Sequence, residues 1–218
     1  MDIIPILTSI ILGYFTGNLM ASYFVAKWVI GADIRDHGTG NAGGSNSIMI
    51  MGWKNGLIVA VIDVLKAFLA VYFIKILYHS EPNISLLILI SGSMSIVGHI
   101  FPFFMNFKGG KGAASFIGMC LAINPMIGLY IIIGCFFITL ITDYVAVSSI
   151  CAYLFLPFFL VFYPDVFFMI PGLSFDFGYM IISIFVAIIG IYKHRVNIIN
   201  IINGKEKGLR SVVFKKSS

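Results

Sequence analysis

The residues best suited to chemistry in this chain are concentrated in three short segments rich in glycine, amide and basic side chains. The first is residues 33–47, where four glycines within seven residues alternate with hydroxyl and amide side chains: Thr39, Asn41, Ser45 and Asn46. Glycine permits positive φ and close backbone approach, and amides and hydroxyls can line a pocket for an oxyanion or a phosphate. The segment therefore predicts either such a pocket or a flexible loop between helices.

The second segment is residues 98–114, in which a run of lysines and glycines comes just before an apolar helix. The members of this run are Lys108, Gly109, Gly110, Lys111 and Gly112. Glycine amides at a helix start, the positive end of the helix dipole and two ammonium groups together predict an anion site. The spacing is not that of a nucleotide P-loop. The alternative is a basic turn that touches lipid headgroups.

The third segment is residues 192–206, at the end of the last apolar run. His194 and Asn197 are one helical turn apart and so share a helix face. A histidine exchanges protons near neutral pH or donates a hydrogen bond to a phosphate. The alternative is an interfacial polar residue without a role in chemistry.

Composition decides which kind of element must position these segments. The 218 residues are 60% hydrophobic and only 11% charged, which excludes an ordinary soluble domain, where charge is about 25%. The net charge of +5 is scattered over short loops and the tail, without stacking aromatics in a polar context, so no nucleic-acid binding is predicted. We expect lipid to cover the apolar excess.

Apolar runs long enough to cross a bilayer predict an all-α, polytopic membrane helix bundle. They occupy residues 3–29, 56–78, 84–105, 113–142, 144–163 and 178–192, the last starting earlier, near Val166. The fourth run is too long for one crossing, and Asn124 with Pro125 predicts that it folds back there. The count becomes about seven transmembrane helices in one domain, residues 1–218, with a short basic tail from residue 193.

Positive charge predicts the orientation of this bundle. Lys and Arg gather in residues 27–54, in residues 108–111 and in the tail, whereas the segments after Tyr78 and after Tyr163 hold acidic residues without any Lys or Arg. Because cytoplasmic loops carry the excess of positive charge, all three chemical segments and the C-terminus are expected on the cytoplasmic side. Asp63 and Lys66 lie three residues apart inside a predicted span, and there we expect a structural ion pair or contact with a polar cavity.

Taken together, in this order and in a chain of this size, these blocks resemble the bacterial acyl-phosphate:glycerol-3-phosphate acyltransferases, the PlsY family. The resemblance runs from about residue 17 to residue 206. It is carried by residues 38–46, by the stretch GHIFPFFMNFKGGKGAA, and by the pattern His-Arg-x-Asn followed by Gly204 and Glu206. The Asp63 and Lys66 pair also looks like the family's pattern.

The resemblance implies a seven-helix enzyme of the bacterial inner membrane for phospholipid synthesis. It would move a fatty acyl group from acyl phosphate to the 1-hydroxyl of glycerol 3-phosphate, giving lysophosphatidate, without cofactor or metal because acyl phosphate is already activated. The catalytic positions would be Thr39, where the family usually has serine, His194 and Asn197. The substrate-binding positions would be Asn41, Ser45, Asn46, Lys108, Gly109, Gly110, Lys111, Gly112 and Ser149.

Several positions depart from the family pattern. Met49 stands where the family typically has an arginine, and a thioether cannot replace the planar fork of a guanidinium. Asn200 replaces a usual basic residue, and Asp143 and Ala146 replace an arginine and a serine. The departures leave an alternative open, namely a catalytically impaired paralogue that binds acyl phosphate or anionic lipid, or an enzyme with another acyl acceptor.

Overall fold

The computed structural model describes residues 2–213, and all the regular secondary structure in this part of the chain is helical. The α-helices are α1 (Ile3–Gly17), α2 (Ala21–Ile30), α3 (Gly44–Leu77), α4 (Ile84–Ile100), α5 (Ala113–Ile123), α6 (Pro125–Thr142), α7 (Val145–Phe162), α8 (Pro164–Phe168), α9 (Phe177–Lys193), α10 (Arg195–Ile202) and α11 (Leu209–Val213). The all-α prediction is confirmed.

Large apolar side chains cover the outside of the bundle as well as its core. Trp28 is 87% exposed and Ile141 is 81% exposed, and many other large apolar side chains are also exposed. So many exposed apolar side chains are favourable only where lipid rather than water surrounds them. Five helical stretches in the described residues are long and apolar enough to cross a membrane, and α9 with α10, bent by 51°, makes a sixth. The multi-pass membrane bundle is therefore confirmed. Helix α5 is apolar but has only eleven residues, so the count of seven crossings stays a prediction.

Helix α5 is short, and residues of α3 contact both of its ends. Its first turn lies beside Asp63, whose carbonyl oxygen accepts a hydrogen bond from the Ser115 hydroxyl (3.3 Å). Its last carbonyls, of Ala122 and Ile123, accept hydrogen bonds from the Lys75 ammonium at the far end of α3. A lysine that satisfies terminal carbonyls removes much of the cost of ending a helix inside an apolar surrounding.

The predicted break at Asn124 and Pro125 is confirmed. The Asn124 side-chain oxygen accepts hydrogen bonds from the amides of Met126 and Ile127 (3.0 and 3.2 Å) and so caps the start of α6. Its amide group donates to the carbonyl oxygen of Val166 (2.8 Å) beyond α7. One side chain thus joins the α5–α6 junction to the segment that follows α7.

Two predicted helix starts are wrong. Helix α3 begins at Gly44 rather than residue 56 and bends at Gly52, which has φ 81°. The bend brings Ile48 against Gly56, and a Cβ on Gly56 would overlap the Ile48 side chain. This packing stabilises the helical turns that precede residue 56. The last span does not start near Val166, because α8 ends at Phe168 and α9 begins only at Phe177, after the side chain of Asp176 has capped it.

Small residues bring α1 and α4 into close contact. A Cβ on Gly13 or Gly17 would overlap the carbonyl oxygens of Ser91 and Ser95, so only glycine permits this approach. The predicted first span is found at Ile3–Ile30, but it consists of two helices, since α1 ends at Gly17 and α2 begins at Ala21. Asn18 stabilises the break, where its side-chain oxygen accepts from the Phe103 amide (2.8 Å).

Candidate active site

The three chemical segments meet at one end of the bundle. The Lys111 ammonium donates to the side-chain oxygen of Asn197 (2.5 Å), which joins the second segment to the third. The side-chain amide of Asn197 donates in turn to the Glu206 carboxylate. Arg35 of the first segment donates to the Met105 carbonyl oxygen (2.7 Å), just before the second segment's lysines. This cluster is the candidate active site.

The lysine–glycine loop, residues 108–112, is folded differently from the prediction. The amides of Gly109 and Gly110 do not point outward, because they donate to the carbonyl oxygens of Ile100 and His99 (both 3.1 Å). These glycines instead permit close packing, since a Cβ on either one would overlap His99. The two amides are thus already bonded within the fold, and the assignment of Gly109 and Gly110 to substrate binding stays a prediction.

The amides that remain for an anion are those at the start of α5. The amide of Phe116 is the first in this helix to reach a carbonyl, that of Gly112 (2.8 Å), so the N–H groups from Ala113 to Ser115 have no helical partner. Gly112 makes the turn into the helix with φ 83°, a conformation that favours glycine. Together with the Lys111 side chain, this helix start forms a site of positive potential.

Burial and neighbouring charges act on Lys111 in opposite directions. Burial lowers the pKa of Lys111 below the ordinary lysine value, the Glu206 carboxylate raises it, and the Lys193 ammonium lowers it again. Lys108 is exposed, and its backbone carbonyl is within 3.4 Å of the Arg35 guanidinium. Of the two lysines in the loop, Lys111 is thus the one already oriented by a side-chain partner.

The third segment holds a buried histidine of defined tautomer. His194 Nδ1 is 2.8 Å from the Gly190 carbonyl oxygen, and because a carbonyl only accepts, Nδ1 carries the proton. Nε2 is then free to accept a proton or a hydrogen bond. The Tyr153 ring packs beside the imidazole, with centroids 6.3 Å apart, and its hydroxyl donates to the Lys111 carbonyl oxygen (3.0 Å). Tyr153 thereby links His194 to the lysine–glycine loop.

The first segment is built around Asn46. Its side-chain oxygen accepts from the Thr39 amide (2.9 Å), and its amide group donates to the carbonyl oxygens of Ile34 and His37 (3.1 and 3.0 Å). With these bonds made, the buried Asn46 side chain shapes the backbone rather than presenting a free amide. The segment contacts the loop through Ala42, whose carbonyl oxygen is next to Gly110.

The remaining predicted positions differ in burial and in the element that holds them. Thr39 and Ser45 are exposed, Asn41 is half-buried, and Ser45 and Asn46 lie in the first turn of α3 rather than in a loop. Ser149 is buried on α7 one turn before Tyr153, and its hydroxyl donates to the Val145 carbonyl oxygen (2.9 Å). In the described residues none of these five side chains makes a hydrogen bond to Lys111, His194 or Asn197.

Asp63, Lys66 and His99 lie together beneath the loop. The Lys66 ammonium is 2.8 Å from the Asp63 carboxylate, and both side chains are at most 2% exposed, so the predicted ion pair is confirmed. Its angles are unfavourable for a hydrogen bond, and the carboxylate oxygen accepts none in the described residues. Lys66 instead hydrogen-bonds to the Leu19 carbonyl oxygen (2.9 Å) and to His99 Nδ1 (2.8 Å).

In the described residues, a helical bundle with apolar outer sides gathers a lysine, helix-start amides and an imidazole at one end, and this architecture defines an integral membrane protein. The sequence model of the glycerol-3-phosphate acyltransferase family matches residues 7–204. The chain belongs to this family.

Individual relatives agree over nearly the whole chain. The glycerol-3-phosphate acyltransferase of Chlorobaculum tepidum is 34% identical, over 93% of this chain and 96% of its own. That of Chlorobium luteolum is 33% identical over 98% and 99% of the two chains. Crystal structures of PlsY, an integral membrane glycerol 3-phosphate acyltransferase, match at 27% identity. The glycerol 3-phosphate form has a TM-score of 0.81 over 97% of this chain, and the lysophosphatidic acid form has 0.75 over 93%.

Sequence reasoning missed some of the residues that the structure adds to the site. Tyr153 stands in an apolar run where an aromatic residue is ordinary, and no pattern marks it out. His99 lies inside the stretch quoted for the family resemblance and could have been found there, since a histidine within an apolar span is costly without a partner.

Proposed function

We propose that the protein transfers a fatty acyl group from acyl phosphate to the 1-hydroxyl of glycerol 3-phosphate. The hydroxyl oxygen attacks the acyl carbonyl carbon, the bond from that carbon to the phosphate oxygen breaks, and inorganic phosphate leaves with the electron pair. The product is lysophosphatidate. Family membership supports the acyltransferase activity, and related PlsY structures hold glycerol 3-phosphate and lysophosphatidic acid.

The observation that carries the proposal is the contact of Lys111 with Asn197 at the start of α5. A cation, free helix-start amides and a side-chain amide together bind a phosphate group and hold it still. Both substrates are anions, so most of the catalytic advantage of such a site comes from holding them close and from stabilising the developing oxyanion. We assign Lys111, Gly112 and Asn197 to phosphate binding, with the exposed Lys108 as an outer contact.

The hydroxyl proton needs an acceptor, and His194 is placed to be one. Its Nδ1 proton is held by the Gly190 carbonyl, which leaves Nε2 unprotonated. A phosphate oxygen of the substrate is the other candidate. We assign Thr39, Asn41, Ser45 and Ser149 to the surrounding pocket, and Asn46 to the backbone of residues 34–39 that forms its wall.

We place the site and the C-terminus on the cytoplasmic side and regard the chain as one domain. Contacts support a common end for the basic segments: Arg35 reaches Met105, Lys111 reaches Asn197, and the Leu209 amide donates to the Asp143 carbonyl oxygen (2.8 Å). Since positive loops stay in the cytoplasm, this end faces inward. The long-chain donor would enter from the lipid, along the apolar outer surface.

The deciding experiment is turnover by the purified full-length protein in detergent, with palmitoyl phosphate and glycerol 3-phosphate. We expect one lysophosphatidate and one inorganic phosphate per reaction, and a strong loss in the Lys111→Met variant. Phosphate release without lysophosphatidate would instead show hydrolysis or another acceptor. No turnover above the Lys111→Met background would contradict the proposal.

Met49 is the observation that favours an impaired paralogue, because the family typically has an arginine there. Its methyl group packs against Gly38 beside Thr39, so an arginine at this position would reach the same pocket. In that case the protein binds palmitoyl phosphate without product formation, and Met49→Arg restores turnover. A wild-type protein with full turnover, unchanged or slowed by Met49→Arg, would exclude this alternative.

His194 is tested with a matched pair of amides. Asparagine places its nitrogen near the position of Nδ1 and retains the bond to Gly190, whereas glutamine places a polar group near Nε2. If His194 accepts the hydroxyl proton, both variants lose about 100-fold to 10,000-fold in kcat. If it only donates or accepts a hydrogen bond, His194→Gln retains much more activity than His194→Asn.

A further inference from the structure

We propose that Asp63, Lys66 and His99 form a positioning triad that sets the place of the lysine–glycine loop, and hence of Lys111, in the active site. None of the three is among the residues assigned above to contact substrate. The inference rests on the proposed function for its kinetic readout. It explains why a charged cluster is kept inside an apolar bundle.

The buried ion pair is not explained by a gain in the stability of the folded protein. Asp63 and Lys66 are almost fully buried, and their contact lacks the angles of a hydrogen bond. A buried pair of this kind does not repay the cost of removing two charges from water, and apolar side chains of similar size often serve stability as well or better. A role in specifying geometry accounts for the charges where stability does not.

Lys66 connects the triad to the rest of the cytoplasmic end. Its ammonium donates to the Leu19 carbonyl oxygen, at the break between α1 and α2, and contacts His99 Nδ1 at 2.8 Å. A lysine ammonium has only donors, so Nδ1 must accept and the proton of the neutral imidazole lies on Nε2. Lys66 therefore determines both the tautomer and the ring orientation of His99.

His99 transmits this orientation to the loop by two contacts. Its carbonyl oxygen accepts from the Gly110 amide (3.1 Å), and its Nε2 lies directly under Gly110, where a Cβ would overlap it. Gly110 is followed immediately by Lys111. A rotation of the imidazole would therefore displace the backbone that aims the Lys111 side chain at Asn197.

Asp63 holds the other side of the anion site. Its backbone carbonyl accepts from the hydroxyl of Ser115, in the first turn of α5, and its carboxylate pairs with the Lys66 ammonium that contacts His99 Nδ1. The triad thus contacts both the loop and the helix start whose free amides face the substrate. One buried cluster therefore fixes the position of the loop relative to the start of α5.

The primary test compares two lysines of the same helix. Lys66→Met removes the link to His99, whereas Lys75→Met removes the bonds to Ala122 and Ile123 at the opposite end of α3. We expect Lys66→Met to raise KM for at least one of the two phosphate-bearing substrates by about 10-fold to 100-fold. Lys75→Met should lower thermal stability in detergent without changing either KM. Equal KM values in the two variants and the wild type would overturn the triad.

A second pair of variants, at His99, tests the triad even if Lys66→Met does not fold. Asparagine and leucine have nearly the same shape, but only asparagine offers an oxygen that can accept from Lys66. His99→Asn should retain a KM within about 3-fold of wild type, while His99→Leu should raise it about 10-fold. Loss of kcat and stability in parallel, with the same KM in both variants, would show a merely structural role.

Binding of inorganic phosphate separates this inference from the proposed acyltransferase activity. If the wild type makes no lysophosphatidate, the activity is wrong, but phosphate should still raise the unfolding temperature of the wild type. The phosphate concentration for half of that effect should increase about 10-fold in His99→Leu and stay unchanged in Lys75→Met. An active wild type whose phosphate response is the same in all variants would refute the triad alone.

Discussion

The Lys111 ammonium and the Asn197 side-chain oxygen are 2.5 Å apart although 86 residues separate them in the chain. The contact joins the loop before α5 to the helix after α9, and it orients a lysine beside free helix-start amides. Glu206, bonded to the same Asn197, supplies a carboxylate that partly neutralises the site before substrate arrives.

The two lysines of the loop are expected to differ in importance. Lys111→Met should lower kcat/KM by about 10-fold to 100-fold, because it removes a charge-assisted hydrogen bond to phosphate from a partly buried site. Lys108→Met should cost less than about 3-fold, since an exposed charge is screened by solvent. Steady-state assays with both substrates measure the difference. A larger loss in Lys108→Met would show that the phosphate binds further out.

The pH dependence should reveal the influence of Glu206 on Lys111. The charge of Lys111 is lost as pH rises through its pKa, which burial has lowered and the Glu206 carboxylate partly restores. Glu206→Gln keeps an oxygen for Asn197 but removes the negative charge, so the pKa of Lys111 should fall further. The alkaline limb of kcat/KM should therefore move to lower pH in this variant. An unchanged limb, or one shifted upward, would mean that another group controls it.

Gly110 should be intolerant of any side chain, for reasons of packing. A Cβ there would overlap His99 Nε2, so Gly110→Ala should displace the loop and raise KM for a phosphate-bearing substrate. Gly134→Ala on α6 is the matched control, because no atom lies within 4 Å of its added Cβ. The control should be neutral, or more stable by up to about 1 kcal/mol from helix propensity. Wild-type kinetics in Gly110→Ala would contradict the close packing of the loop on His99.

The C-terminal segment should depend on Asp143 for its attachment. The Asp143 carboxylate accepts from the Arg210 amide (2.9 Å), and its backbone carbonyl accepts from the Leu209 amide. Asp143 has φ 65°, which asparagine and glycine both tolerate, so Asp143→Asn and Asp143→Gly differ mainly in the acceptor. Amide hydrogen exchange around residues 204–211 should be faster in Asp143→Gly than in Asp143→Asn. Equal exchange would assign the attachment to the backbone contact alone.

Parts of the fold could be predicted because their causes are local. The length and polarity of the apolar runs predict membrane helices, and Asn124 with Pro125 predicts the α5–α6 junction, since one residue caps a helix and the other starts it. The break after Gly17 escaped prediction. It depends on the contact of Asn18 with Phe103, 85 residues away, which no local pattern contains.

The candidate site shows the same division. The amino-acid sequence by itself determined the membrane class, the family and the segments that hold lysine, histidine and amide side chains, because composition and short motifs are properties of the chain. Only the tertiary structure decided that the amides of Gly109 and Gly110 donate to the carbonyl oxygens of Ile100 and His99, respectively, and that Tyr153 joins the loop to His194. Hydrogen-bond partners are chosen among all groups that folding brings within about 3 Å, and for a helix bundle those groups come from distant parts of the chain.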